Sequence, residues 1–546
     1  MLSLQNSKEP SATNDVWSPQ RRVVWVALLL VILFSASVRF RLLDVPLERD
    51  EGEYAYAGQL ILQGIPPYQE VYNMKLPGIY AAYAVALALF GQTHRGIHLA
   101  LLLINAATIL SLFHLSRRLL GDLAAVMAAA SFALLSISQS VQGVFANAEH
   151  FVILFAITGL IALLRAVDSN RLIPLVLSGL LLGAAVLMKQ HGAAFVVMAG
   201  LYLVIQMWSH QPQRWRANAS RCAIFALAIA TPYLVTCLIL WSAGVFDSFW
   251  FWTVTYASTY ATRLPLKDGP AMLMFRVPSL LNSAVLIWPL AAVGITAIWW
   301  NRPARKHWMF ILLLTVFSFL AVVPGFFFRK HYFVLTLPVV SLLAGLAISA
   351  IRGPASTTQR FRPWVAILMI VVCLGQSVLS QYKYLFTMTP TDVARATYDM
   401  NPFPESLRIG DFINSVTTEE DRIAVLGSEP QLFFYARRRS ATGFVYMYAL
   451  MENHDLSRNM QKQLIREIEG SDAEVLVFVD IHTSWLTRPD SHRQVFDWFE
   501  RYRSSFALVA VAELQSEGTR YYYDAEIAEL KDRPQYSVQV YRRVRP

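Results

Sequence analysis

Four carboxylates, Glu48, Asp50, Glu51 and Glu53, fall within six residues directly after a long apolar run. The segment continues as RDEGEYAYAGQLILQGIPPYQEVYNMKLPG and ends with Lys75 two residues before Pro77 and Gly78. Carboxylates crowded where a membrane helix ends are costly to place there, which makes them functional candidates. A carboxylate held near a lipid headgroup could take the proton of an attacking hydroxyl. A solvated acidic loop would have the same composition, so the neighbouring segments must decide.

Matching groups stand at other ends of apolar runs. Asn147, Glu149 and His150 open one run, and Lys189–Gln190–His191–Gly192 separates two others. An aromatic stretch runs from Phe246 to Trp252, with Tyr256 beyond it, and Arg329–Lys330–His331–Tyr332 precedes a run ending at Pro338. Lys75, Lys189, Arg329 and Lys330 suit a phosphate leaving group, the arginine as a bidentate fork and the lysines as point charges. Singly, each has a plainer reading: aromatics as an interface belt, lysines that snorkel, histidines as spacers.

These groups must be positioned by membrane helices. Of the 546 residues, 55% are hydrophobic and only 15% charged, well short of the charge of a soluble domain. Segments able to span lie at 23–43, 97–115, 123–141, 150–166, 172–188, 193–208, 222–242, 278–300, 309–324, 332–350 and 363–384, about eleven in all. Residues 23–43 read as an uncleaved signal-anchor rather than a cleaved signal peptide. The net charge of +10 sits in short links: Arg117–Arg118; Arg165 and Arg171; Arg214, Arg216 and Arg221; Arg302, Arg305 and Lys306; and Arg352, Arg360 and Arg362. With Arg21–Arg22 inside, every one of these links falls inside, the positive-inside pattern, which argues against a nucleic-acid partner. That agreement requires 77–91 to be a re-entrant or interfacial helix, since a further span would invert all later links. Cys222, Cys237 and Cys373 lie in or beside apolar runs without metal-ligand spacing.

The resulting domain expectation is a cytoplasmic tail at 1–22, a transmembrane domain at 23–394 with its first outer loop at 44–96, and an outer α/β domain at 395–546. In that last part strand-like runs at Ile423–Leu426, Val475–Val479, Phe506–Val511 and Val538–Tyr541 alternate with helical patterns at 405–415 and 459–469. Tyr54 onward reads as a helix lying along the surface. Parity then gathers the acids, cations and aromatics on one outer face.

The ordered set resembles the GT-C glycosyltransferases, and within them the bacterial branch of lipid A aminoarabinose transferases and protein O-mannosyltransferases. It is carried by Asp50–Glu51–Gly52–Glu53–Tyr54–Ala55, Lys75–Leu76–Pro77, Leu89–Phe90–Gly91 with Arg95, and Arg117–Arg118–Leu119–Leu120–Gly121. Glu149, Leu187–Met188–Lys189 and His331–Tyr332 through Pro338 complete it, over about residues 20–350. The resemblance implies a polytopic α-helical GT-C membrane domain with a C-terminal soluble α/β domain. It implies transfer of a sugar from a polyprenyl-phosphate-linked donor, with inversion, to an envelope lipid, a glycan or a protein. The setting it implies is the bacterial inner membrane, with membrane lipids around the site and no nucleic acid.

By the same resemblance Asp50 and Glu149 are the catalytic candidates, Asp50 as general base or acceptor-orienting group. Lys75 and Arg329 or Lys330 contact the donor phosphate, while Glu51, Tyr54, Lys189, His191, Tyr256, His331 and Tyr332 complete the substrate site. No cofactor or metal is implied, although a carboxylate pair could take a divalent cation. Departures are Tyr256 where the family often has histidine, Gln190 where a glycine often follows the lysine, and about eleven spans rather than thirteen. A transporter or flippase of lipid-linked sugars is the alternative; it predicts buried charges within the spans and inverted repeats, whereas the spans are nearly charge-free and no repeat is visible.

Overall fold

A computed structural model describes residues 19–210, 212–261, 264–352, 362–530 and 533–545. Most of the tail at 1–22 and the link carrying Arg360 lie outside the described residues.

The first nine helices are α1 (Pro19–Arg41), α2 (Arg49–Leu62), α3 (Pro77–Phe90), α4 (His94–Leu120), α5 (Asp122–Leu135), α6 (Ala148–Ser169), α7 (Leu172–Met188), α8 (Ala193–His210) and α9 (Trp215–Ser242). Later apolar helices span Ile287–Ala297, Trp308–Leu320, Leu337–Arg352 and Arg362–Ser380. Each of the eleven expected apolar segments overlaps one of these helices. Among the described residues six stretches are long and apolar enough to cross a bilayer: Arg21–Arg41, His94–Leu120, Ala148–Ser169, Gln190–Ser209, Pro212–Ser242 and Lys330–Ile351. Helix α3 has 14 residues, about 21 Å at 1.5 Å per residue, against a hydrocarbon core of about 30 Å.

Helix α2 departs from the surface helix expected from Tyr54 onward. Every residue from Glu51 to Leu60 is buried, because α3 covers one side and the C-terminal domain the other. Its start is a capping box: Glu48 accepts the Glu51 amide and the Glu51 side chain accepts the Glu48 amide, each at 3.1 Å. Burial of an aliphatic side chain such as Leu60 contributes roughly 1.5–3 kcal/mol.

The C-terminal domain is built on a six-stranded sheet of order β2-β1-β3-β6-β4-β5. The strands are β1 (Arg422–Leu426), β2 (Arg439–Ser440), β3 (Val475–Asp480), β4 (Phe506–Gln515), β5 (Gly518–Tyr523) and β6 (Ser537–Arg543). β1 runs parallel to β2 and β3, while β6, β4 and β5 are antiparallel neighbours. Helices Phe403–Val416 and Ser457–Gly470 fall where the apolar periodicity predicts them. Short β2 and the tyrosine-rich β5 carry no comparable apolar run. Asp480, at the end of β3, is exposed.

One continuous apolar core joins the helices to this domain. Polar ties cross the junction as well: Tyr72 N donates to Gly443 O at 2.7 Å, Leu47 N to the Tyr435 hydroxyl at 2.9 Å, and Ser440 N to the Tyr56 hydroxyl at 2.7 Å. Glu70 receives Arg422 at 3.1 Å and Arg439 Nε at 3.0 Å.

Candidate active site

Two tight backbone approaches set the site. A Cβ on Gly78 would stand 2.5 Å from the Leu187 carbonyl oxygen, so only glycine lets the start of α3 meet the end of α7. That contact brings Lys75, just before α3, towards Lys189, just after α7, and Gln190 Nε2 ties the two by donating to Met74 O at 2.8 Å. On the other side of α2, a Cβ on Gly52 would lie 2.6 Å from both the backbone nitrogen and the Cβ of Gln431. The C-terminal domain therefore sits directly on the helix that begins with Asp50.

Between the helices and that domain lies a cavity of about 850 Å³. Asp50 is on its wall with Lys75 Nζ 3.0 Å from Oδ1 and the Tyr446 hydroxyl donating to the same oxygen at 2.8 Å. No hydrogen bond is donated to Asp50 Oδ2 by the described residues, and the side chain is 20% exposed. Burial pushes the Asp50 carboxyl up, but Lys75, His331, Lys189 and the Tyr446 hydroxyl outweigh it and hold it well below the usual carboxylate range. Lys75 is pulled down by burial and up, on balance, by Asp50 and Glu53. It also donates to the Tyr54 hydroxyl at 3.0 Å and lies 5.0 Å over the Tyr54 ring.

Glu48 lines the cavity beside Asp50. Burial, with the Asp50 and Glu51 charges, raises its carboxyl well above the ordinary value and favours its neutral form. Two neighbouring carboxyls are thus pushed in opposite directions, a pattern that separates a proton acceptor from a proton carrier.

The remaining cations form the far side. Lys189 Nζ is 2.5 Å from Glu149 Oε1 and 4.4 Å over the Tyr332 ring, and His191 packs on Tyr332 at 4.8 Å between ring centres. His331 Nδ1 is 2.9 Å from Gln142 Oε1 and its Nε2 4.0 Å from Glu149 Oε1. Arg329, Lys330 and Arg276 also face the cavity. An aromatic wall is made by Trp252, stacked on Tyr72 at 5.6 Å, with Phe444 and Tyr256; the Tyr256 hydroxyl donates to Glu452 at 3.0 Å.

Nine of the twelve sequence-derived site residues thus meet on one cavity: Asp50, Lys75, Lys189, His191, Tyr256, Arg329, Lys330, His331 and Tyr332. The other three stand behind its wall. Glu149 is fully buried and reaches the cavity through Lys189. Tyr54 is buried and reaches it through Lys75. Glu51 does not fit a substrate contact: all its bonds are internal, to His98 Nε2 at 3.0 Å, to Ala146 N at 2.5 Å and to the Glu48 amide, and it locks α2 onto α4. Among the described residues no group of three or more His, Cys, Asp and Glu side chains is gathered as for a metal ion.

Glu48, one of the four carboxylates singled out in the sequence, had no assigned role there, and Arg276 and the whole C-terminal contribution (Tyr446, Tyr448, Glu452 and Thr483) were not expected. Arg276, a cation within an apolar stretch, carries its own signal. The tail residues carry none, because nothing local says that the loops after β2 and β3 face the membrane domain.

Comparison with known proteins agrees with this architecture. Residues 75–236 match the dolichyl-phosphate-mannose-protein mannosyltransferase family. Comparison with curated protein sequences finds no match. Among solved structures, ArnT from Cupriavidus metallidurans bound to undecaprenyl phosphate superposes with a TM-score of 0.59 at 17% identity, over 95% of this chain and 98% of that one. The Archaeoglobus fulgidus oligosaccharyltransferase tethered to an acceptor peptide gives 0.55 at 13% identity, over 92% and 74%. The same archaeal enzyme, AglB, with an inhibitory peptide and a dolichol-phosphate gives 0.51 at 12%, over 95% and 75%. The chain has the GT-C fold: it is a multi-pass α-helical membrane protein with a C-terminal sheet domain, and it resembles the ArnT and protein-mannosyltransferase branch.

Proposed function

We propose that this chain transfers a sugar from a polyprenyl-phosphate-linked donor to an acceptor hydroxyl or amide, with inversion at the anomeric carbon. The observation that carries the reading is the Asp50–Lys75 pair on the cavity wall, with Asp50 Oδ2 open and further cations across the same space. In the proposed reaction the acceptor oxygen or nitrogen bonds to the anomeric carbon as the bond to the phosphate oxygen breaks. The acceptor proton goes to Asp50, and the electron pair leaves on the phosphate. Lys75, Lys189, Arg329 and Lys330, with Arg276 beside them, meet the growing phosphate charge. Glu149 acts through Lys189, holding that ammonium in place within a buried ion pair.

The donor class is supported by two of the similar structures, ArnT with undecaprenyl phosphate and AglB with a dolichol-phosphate. The acceptor is an envelope lipid, a glycan or a protein. The basic links favour a bacterial inner-membrane orientation with the cavity and residues 395–546 on the outer face. The proposed domains are 23–394 and 395–546; the limit between them falls inside the helix Pro390–Tyr398, and the first strand begins at Arg422.

Mass spectrometry of envelope lipids, glycans and proteins from cells with and without the gene tests the reading. One acceptor is expected to lose a mass equal to one sugar, and Asp50→Asn is expected to reproduce that loss while the protein still inserts. An unchanged envelope sinks the transferase reading. A reporter enzyme fused near residue 395 tests sidedness, and an inside signal overturns the outer-face placement.

A further inference from the structure

Asp50 has its two oxygens in different situations. Oδ1 takes Lys75 Nζ at 3.0 Å and the Tyr446 hydroxyl at 2.8 Å, while Oδ2 accepts no hydrogen bond from the described residues. A carboxylate on a short side chain turns freely about its last bond unless something fixes it. Lys75 is a poor anchor during turnover, since a donor phosphate entering the cavity competes for the same ammonium. Tyr446 carries no charge for a phosphate to draw away, and its hydroxyl also reaches the Glu53 carboxyl beside Asp50.

Tyr446 is itself well held. Its loop is tied at Ser440 N to the Tyr56 hydroxyl at 2.7 Å, at Gly443 O to Tyr72 N at 2.7 Å, and at Met447 N to Ser428 Oγ at 2.8 Å. The ring packs edge-on against Tyr448 at 5.6 Å, and Tyr448 in turn donates to Thr483 O at 2.9 Å. On the Asp50 side, the preceding Arg49 binds Glu429 at 2.5 Å and lies over Tyr448 at 5.6 Å. Donor and acceptor of the Tyr446–Asp50 bond are therefore fixed from both sides of the domain junction.

We propose that Tyr446 is a positioning residue: reaching from the C-terminal domain, its hydroxyl pins Oδ1 of Asp50 so that Oδ2 faces the acceptor, which makes that domain part of the active site. The inference rests on the transferase reading above and deepens it. In the step concerned, the acceptor proton moves to Oδ2 while the acceptor atom bonds to the anomeric carbon and the phosphate leaves with the bonding pair. Tyr446 keeps its own proton throughout.

The charged and titratable groups facing Asp50 are Lys75 before α3, Lys189 after α7, His331 before Leu337–Arg352, Glu48 and Glu53 from its own stretch, and Tyr446. Of the described C-terminal residues only Tyr446 bonds to Asp50; its hydroxyl also reaches the Glu53 carboxyl, so the acid limb is compared in a Glu53→Gln background as well, where the Asp50 contact alone can move it.

The test uses the full-length protein in lipid nanodiscs, with undecaprenyl phosphate as the binding probe and the donor identified by the envelope comparison as substrate. Tyr446→Phe is expected to lower kcat about tenfold to a hundredfold, the usual cost of a misplaced catalytic group, with undecaprenyl phosphate affinity unchanged. The acid limb of the rate profile is expected to move to higher pH, because a lost donor raises the carboxyl it stabilised. Tyr435→Phe, which cuts a different bond across the same junction, is expected to leave that limb in place. A wild-type rate and profile in Tyr446→Phe overturns the proposal, as does an equal shift in Tyr435→Phe, which would trace the effect to docking. If Tyr446→Phe fails to fold, a trifluorotyrosine at 446, a stronger donor, is expected to move the acid limb down, and an unmoved limb overturns the proposal. A wild-type protein that transfers no sugar at all sinks the transferase reading and this inference together, a result distinct from the others.

Discussion

Lys75 Nζ stands 3.0 Å from Asp50 Oδ1 although 25 residues separate them, and the same ammonium donates to the Tyr54 hydroxyl one helical turn further along α2. The pairing holds Asp50 ionised and Lys75 protonated in a buried setting. In the proposed reaction it also pairs the base with a cation that meets the donor phosphate. A phosphate that draws Lys75 towards itself leaves Asp50 less stabilised as an anion, and so a stronger base when the donor is in place.

The two residues should therefore separate in kinetics. Asp50→Asn is expected to lower kcat by at least about a hundredfold, the usual contribution of a general base, while undecaprenyl phosphate still binds. Lys75→Gln is expected to weaken that binding as well as transfer. Equal loss of lipid binding in both variants would contradict the assignment of separate roles.

Lys75→Gln also makes a pH prediction. Removing Lys75 takes away the largest of the groups that oppose burial, so the Asp50 carboxyl rises. Below its pKa a base is protonated and idle, so residual activity should fall with decreasing pH from a higher starting point than in the wild type. Rate profiles of both proteins, measured at saturating donor, check this; superimposable acid limbs speak against Asp50 as the titrating base.

Glu149 and Lys189 form a buried pair at 2.5 Å, with Glu149 fully inaccessible. Taking away one partner strands a charge, at a cost of roughly 3–5 kcal/mol, whereas removing both is often close to neutral. Glu149→Gln and Lys189→Met are each expected to melt well below the wild type. The double variant is expected to recover most of that stability yet bind undecaprenyl phosphate weakly, since the cation is gone. Additive losses in a double-mutant cycle would show that the pair does not couple.

Much of the membrane part was legible because its physics is one-dimensional. Apolar length and the sign of the links locate helices without knowledge of packing, and every expected segment overlaps one. Nine of the expected site residues converge because ends of adjacent helices must lie near one another. Glu51 misled, since a carboxylate that caps its own helix and binds His98 has the same sequence appearance as one facing substrate. Tyr446 was invisible for the opposite reason: its partner lies 396 residues away, and only the folded sheet aims its loop at Asp50.

Glu53 offers a stability test apart from catalysis. Burial raises its carboxyl from 4.5 to about 7, against the pull of Lys75 and the Tyr80 hydroxyl. The folded protein thus keeps a proton that the unfolded chain gives up, so this group's contribution is complete below pH 4.5 and is lost as pH rises through 7. Glu53→Gln is expected to flatten the fall in Tm over that window. A slope identical to the wild type would show that Glu53 does not set it.

Docking of the C-terminal domain on α2 can be loosened without touching a charge. A Cβ at Gly52 would lie 2.6 Å from the Gln431 backbone nitrogen, and backbone cannot swing aside as a side chain does. Gly52→Ala is therefore expected to shift the domain off α2, carrying Tyr446 from Asp50 and Glu429 from Arg49 together. The Arg49–Glu429 pair is buried on the glutamate side, so its rupture adds a cost of roughly 3–5 kcal/mol. The expected result is faster proteolytic release of the region after residue 395 and a loss of transfer larger than that of Tyr446→Phe. Gln431→Ala in the Gly52→Ala background should not restore either, because the obstructing nitrogen and Cβ remain. Full recovery on that second change would place the obstruction in the Gln431 side chain instead of its backbone.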